Sequence, residues 1–133
     1  MNTNIDKYDM EGPFPLDSQS INYEVEKAIG VYILGENSDI QSFKPRYVGR
    51  SDDDLNERLH QHEKENYTHF VYLYADSEED AYYMECVLYH NYGEDVVLKN
   101  EIHPDKPKNR GDLSCPICNK SHKEHYKPFT YKG

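Results

Sequence analysis

The chain has 133 residues, enough for one domain with a modest core and too few for two. No segment approaches the roughly 20 apolar residues of a membrane span, and the N-terminus has neither a basic start nor an apolar run, so a soluble, cytoplasmic protein is expected. A formal charge of −10 argues against a nucleic-acid grip spread over the whole surface, because DNA affinity is mostly phosphate neutralisation.

Residues 1–27 read as a leader. Its first part mixes Asn, Asp and Ser with Pro13 and Pro15 and has no apolar periodicity, which predicts an extended or partly disordered stretch able to dock through Phe14 and Leu16. Ile29 to Leu34 is β-branched and aromatic and predicts a strand, ended by the turn chemistry of Gly35 to Asp39. Arg46 to Gly49 predicts a second strand, entered through Pro45, and a hairpin is the economical pairing of the two. Ser51 to Asp54 then offers N-cap oxygens and negative charge, and Leu55, Leu59 and His62 are spaced for a helix of about three turns ending near Asn66. Phe70 to Tyr74 predicts a third strand. Ser77 with Glu78, Glu79 and Asp80 predicts the start of a second helix, with Ala81, Met84, Leu88 and Tyr92 on one face and a stop at Gly93. Beyond Pro104 and Pro107 the composition turns basic and loop-like.

The charge is unevenly placed. From Lys99 to the end there are eight Lys/Arg against four Asp/Glu, a balance of +4, while residues 1–98 carry seven against twenty-one, or −14. A basic tail follows an acidic body.

Several residues could carry chemistry. Arg58 and His62 are four apart and project from one side of the first helix; a guanidinium fork suits phosphate, and an imidazole beside it could move a proton. Glu85 falls among Ala81, Met84, Leu88 and Tyr89, where a carboxylate costs free energy unless a metal ion or an arginine pairs with it. Tyr32 and Tyr47 sit in strands near glycines, which mark close approach of other groups; each phenol could hydrogen-bond a phosphate or a water, or simply pack.

Gly30-Val31-Tyr32, Tyr47-Val48-Gly49 followed by Arg50, Leu55-x-x-Arg58 with His62, Ala81-x-x-x-Glu85 and then Asn100 together resemble the GIY-YIG nuclease family, of the homing-endonuclease and UvrC N-terminal type, over residues 28–107. The resemblance implies an α+β domain, a small three-stranded antiparallel sheet flanked by helices, and hydrolysis of a DNA phosphodiester with one divalent ion, Mg²⁺ or Mn²⁺. It would make Glu85 the metal ligand, Arg58 the clamp on the scissile phosphate and Tyr32 the group that orients or deprotonates the attacking water. Tyr47 and His62 would assist at the phosphate, and Asn100 would brace the site. Valine replaces isoleucine in both triplets. Lys44, Arg46 and Arg50, near the site, are the candidate DNA contacts, with the basic tail supplying further grip. DNA is the expected partner, with a protein partner or homodimer also open. A non-catalytic nucleic-acid or protein binding module on the same scaffold is the alternative reading.

In the tail, residues 108–133, Cys115-Pro-Ile-Cys118 is followed by His122 and His125. These four ligand types suit a structural Zn²⁺. A redox pair and two unbound thiols are the other readings. Cys86 reads as a small buried apolar residue.

Overall fold

The computed structural model describes residues 9–94, 98–100, 103–108 and 111–118. Its centre is an antiparallel sheet of four strands in the order β1, β4, β2, β3: Glu11–Pro15 (β1), Gly30–Glu36 (β2), Lys44–Ser51 (β3) and His69–Tyr74 (β4). Among the described residues three α-helices accompany it, Ser18–Glu24 (α1), Leu55–Gln61 (α2) and Glu78–Asn91 (α3). No helix among the described residues is long and apolar enough to cross a membrane.

Strand alternation sorts the side chains into two layers. Val31, Ile33, Val48 and Val71 face α3, where Ala81, Met84 and Leu88 meet them. Tyr32, Leu34, Phe70 and Tyr72 face the other way, onto Ile21 of α1 and Leu55 and Leu59 of α2. A strand covered on both faces has no polar side, which is why β2 reads as an uninterrupted apolar run. The expected hairpin forms: β2 pairs β3, with Tyr32 opposite Gly49 and Ile33 opposite Val48.

The strand count is four rather than the expected three. The additional strand comes from the stretch read as a leader: β1 pairs β4 through Phe14 opposite Phe70 and Pro15 opposite His69. The prolines concealed it, since proline donates no hydrogen bond, but an edge strand with an irregular register tolerates that loss. Phe14 packs with tilted rings against Phe70 and Tyr72, with centroids 5.8 and 6.2 Å away, and Leu16 is buried, so the proposed anchors are in contact with the body. Helix α1 follows, capped by Asp17, whose side chain accepts from the Ser20 amide. It buries Ile21 within an otherwise polar sequence and has no periodicity to betray it.

Helix α2 is also shorter than expected. Asp54 caps it, but it ends at Gln61, because the His62 amide bonds the carbonyl of Leu59 in a tightened last turn while the His62 ring makes a tertiary bond. Helix α3 begins as expected at Ser77, which accepts from the Asp80 amide. Its buried residues run nearly all the way round. Besides the face against the sheet, Tyr82 and Cys86 are covered by Leu113 and Cys115 of the C-terminal segment.

Candidate active site and metal centre

Between the β2–β3 hairpin, α2 and α3 lies an open cleft of about 770 Å³. Tyr32, Tyr47, Arg58 and Glu85 all line it, along with Gly49 and Arg50. The far wall is the short segment from Asp105 to Lys108.

The two glycines of the triplets have separate steric reasons. A Cβ on Gly49 would lie 2.4 Å from both Cζ and the hydroxyl of Tyr32, so the absent side chain is what lets the Tyr32 ring lie across β3. A Cβ on Gly30 would lie 2.7 Å from the carbonyl oxygen of Leu73 and 2.9 Å from Leu55, at the packing of β2 on β4 and α2.

Tyr32 is fully buried, and its hydroxyl lies 2.8 Å from His62 Nε2. The other ring nitrogen of His62 is 3.1 Å from Glu65 Oε1. An ionised carboxylate only accepts, so Nδ1 carries the proton and Nε2 accepts from the phenol. The result is a chain from phenol through imidazole to carboxylate. Burial pushes the Tyr32 hydroxyl well above the usual phenol range, and Tyr47 adds to this while Arg58 opposes it. Tyr47 is likewise pushed up to about 12, chiefly by burial and then by Glu85. Neither phenol is an anion near neutral pH. Arg58 is exposed on α2 and makes no ion pair among the described residues.

Glu85 is buried, and an arginine partners it. Arg50 Nη1 donates to Glu85 Oε1 at 2.6 Å and to the backbone carbonyl of Asp105 at 2.6 Å, while Arg50 Nε donates to Asp52 at 2.7 Å. Burial works against the charge on Arg50, but Glu85 and Asp52 outweigh it and its pKa rises. For Glu85 the balance falls the other way: burial raises its carboxyl to about 7, with Arg50 only partly offsetting. Arg50, expected as a DNA contact, is therefore committed within the protein. Asp105 Oδ1 is buried and has no hydrogen-bond partner among the described residues, although Asp105 lines the cleft.

The remaining expected site residues sit elsewhere. Asn100 does not line the cleft. Its Oδ1 accepts from the Val48 amide at 2.8 Å and its Nδ2 donates to the Val48 carbonyl at 2.7 Å. The side chain thus pairs the outer edge of β3 in the middle of the Tyr47-Val48-Gly49 triplet. Arg46 sits at the irregularity in the β2–β3 register, lies 3.5 Å from Glu36, and lines a smaller hollow with Lys64, Tyr67 and Lys99. Lys44 is exposed at the start of β3 and lines neither hollow. The cations in the cleft beside Arg50 and Arg58 are Lys106 and Lys108, which sequence reasoning did not single out.

A second cluster lies at the C-terminal end of α3. His90, His103, Cys115 and Cys118 place their ligand atoms within 4.8 Å of one another, a group that could hold a metal ion. The cysteine pair expected to bind metal is present in it. The expected His122 and His125 lie outside the described residues; the histidines in this cluster are His90 and His103. Proximity along the chain pointed to the tail histidines, whereas His103 precedes the tail in sequence and His90 lies on α3. Cys86 is fully buried beside Tyr82, Leu113 and Cys115, as a small apolar residue would be.

Compared with protein-family models, curated proteins and solved structures, the chain matches none.

Proposed function

We propose that the chain is a metal-dependent DNA endonuclease of the GIY-YIG type, hydrolysing a phosphodiester in the cleft bounded by β3, α2 and α3. The observation that carries this reading is convergence. Tyr32, Tyr47, Arg58 and Glu85, which span more than fifty positions of sequence and come from two strands and two helices, line one open cleft.

The donor set suits a hard divalent cation. Glu85 would hold it, and the unpartnered Asp105 Oδ1 is a second oxygen in the same cleft. When bound, a Mg²⁺-type ion supplies positive charge to a phosphate oxygen. The protein's own groups account for the rest. Arg58 presents its guanidinium to the phosphate and neutralises charge that grows in the transition state. Tyr32 orients the attacking water by accepting its proton at the hydroxyl oxygen. As that O–H bond forms, the original phenolic proton passes to His62 Nε2, so no phenolate is required, and Glu65 holds the resulting imidazolium. Lys106 and Lys108 add cations to a lining that also carries Asp52, Asp53 and Glu78, and they are the groups that would meet the DNA backbone.

A second reading, a binding module that cleaves nothing, draws on the Arg50 to Glu85 pair, since a carboxylate already neutralised by an arginine needs no metal. Incubating supercoiled plasmid with the purified protein and Mg²⁺ or Mn²⁺ separates the two. Nicked or linear product that EDTA abolishes supports the nuclease; a gel shift without scission under either metal supports the module.

A further inference from the structure

The imidazoles of His90 and His103 face each other with polarities that do not suit a simple hydrogen bond. His103 Nδ1 lies 2.8 Å from the Pro104 carbonyl oxygen, which can only accept, so the proton is on Nδ1. His90 Nδ1 lies 2.6 Å from Glu94 Oε2, and the same rule places the proton there. In the neutral rings both Nε2 atoms are then lone pairs, and they point at each other 3.0 Å apart. That arrangement repels unless a cation lies between them. The sulfur of Cys118 is 3.9 Å from His103 Nε2, and Cys115, fully buried, completes the group.

From this geometry we infer that His90, His103, Cys115 and Cys118 bind one structural Zn²⁺, through the two Nε2 atoms and two thiolates. Zinc bonds of about 2.0 to 2.1 Å to nitrogen and about 2.3 Å to sulfur put tetrahedral nitrogens about 3.3 Å apart and sulfur about 3.6 Å from nitrogen. The separations of 3.0 and 3.9 Å lie on either side of these values. Two thiolates cancel the charge of the dication, which suits a site where His103 and Cys115 are buried. Both histidines already have the outer partner that fixes a metal-bound ring: a carboxylate for His90 and a backbone carbonyl for His103. With nitrogen and sulfur as its only donors, the group is unsuited to Mg²⁺ or Ca²⁺.

The site also has structural work to do. Among the described residues, 98–118 contain no helix or strand; Leu98 joins the main core with α3, and further along the segment Leu113 and Cys115 pack against Tyr82 and Cys86. A metal cross-link from His103, Cys115 and Cys118 to His90 fastens it there. The inference stands whether or not the cleft hydrolyses DNA.

Metal analysis of the purified 133-residue chain, after dialysis against a weak chelator, tests it together with the visible spectrum of the Co²⁺-substituted protein. The expected result is one zinc per chain and a tetrahedral cobalt spectrum with thiolate charge transfer, both lost in Cys118→Ser and in His103→Asn. Should those variants fail to fold, the double variant His122→Gln/His125→Gln decides, because its changes lie outside the four ligands. Retention of one zinc there supports the site, and loss overturns it by moving the ligands into the tail. A wild-type chain without zinc, or undiminished zinc in folded Cys118→Ser and His103→Asn, overturns it as well.

Discussion

The ring of Tyr32 lies across Gly49 so closely that a single added carbon would stand 2.4 Å from its hydroxyl. The two residues are opposite each other in the β2–β3 pairing, so the hairpin register itself sets this contact. Because Tyr32 is fully buried, the ring has nowhere easy to go. Gly49→Ala is therefore expected to cost about 1–3 kcal/mol of stability through overpacking and to separate Tyr32 from His62. Denaturant titration and the plasmid-nicking rate check this; wild-type values for both would show that the ring position is not fixed by Gly49.

The arginines divide by location. Arg58 lines the cleft without an ion-pair partner among the described residues, whereas Arg46 lies beside Glu36 at another hollow. Arg58→Ala is expected to lower the nicking rate by about 10²–10³-fold, the usual effect of removing a group that stabilises transition-state charge. Arg46→Ala should change it by less than about tenfold. Rates measured at saturating DNA keep binding losses out of the comparison.

Glu85 makes stability depend on pH with a definite sign. Its carboxyl titrates near 7 in the fold against an ordinary 4.5, so between these values the folded protein holds a proton that the unfolded chain has released. This contribution to stability is fully present below about 4.5 and is lost as pH rises through about 7. In metal-free buffer, denaturant titrations of the wild type should show that fall, and Glu85→Gln should lack this component. Added Mg²⁺ should raise the melting temperature more above about pH 7 than below about 4.5, because the ion needs the ionised carboxylate.

Asn100 bears on the cleft only through β3. It completes the hydrogen bonding of Val48, whose flanking residues are Tyr47 and Gly49. Asn100→Ala leaves a buried amide and carbonyl unmet and is expected to cost about 1–3 kcal/mol. Asn100→Asp keeps the acceptor for the Val48 amide but loses the donor to its carbonyl, so it should not restore wild-type stability. Amide exchange at Val48 reports the edge directly, and slow exchange in both variants would contradict the bracing role.

What the sequence revealed depended on how local each signal was. The cores of β2, β3 and β4, the caps at Asp54 and Ser77 and the inward face of α3 are written in periodicity and capping chemistry, and all are present. Strand β1 and helix α1 were hidden because their order comes from packing on β4 and α2, which no local pattern records. The burial of Glu85 was legible from its apolar neighbours. Its pairing with Arg50, thirty-five positions away, was not, and neither was the commitment of Arg50 to Asp52 and Asp105. In the same way the spacing of Cys115 and Cys118 marked a candidate metal site, while His90 and His103 were brought beside them only by the fold.

Strand scission by the Glu85→Gln variant tests the nuclease reading most directly, since glutamine keeps the shape of the side chain and removes only the charge. With Mg²⁺ and supercoiled plasmid, the wild type should nick the DNA, and Glu85→Gln should do so at least about 10²-fold more slowly while binding DNA with similar affinity. Equal nicking by the two proteins would contradict the assignment of Glu85 as the residue that holds the catalytic ion.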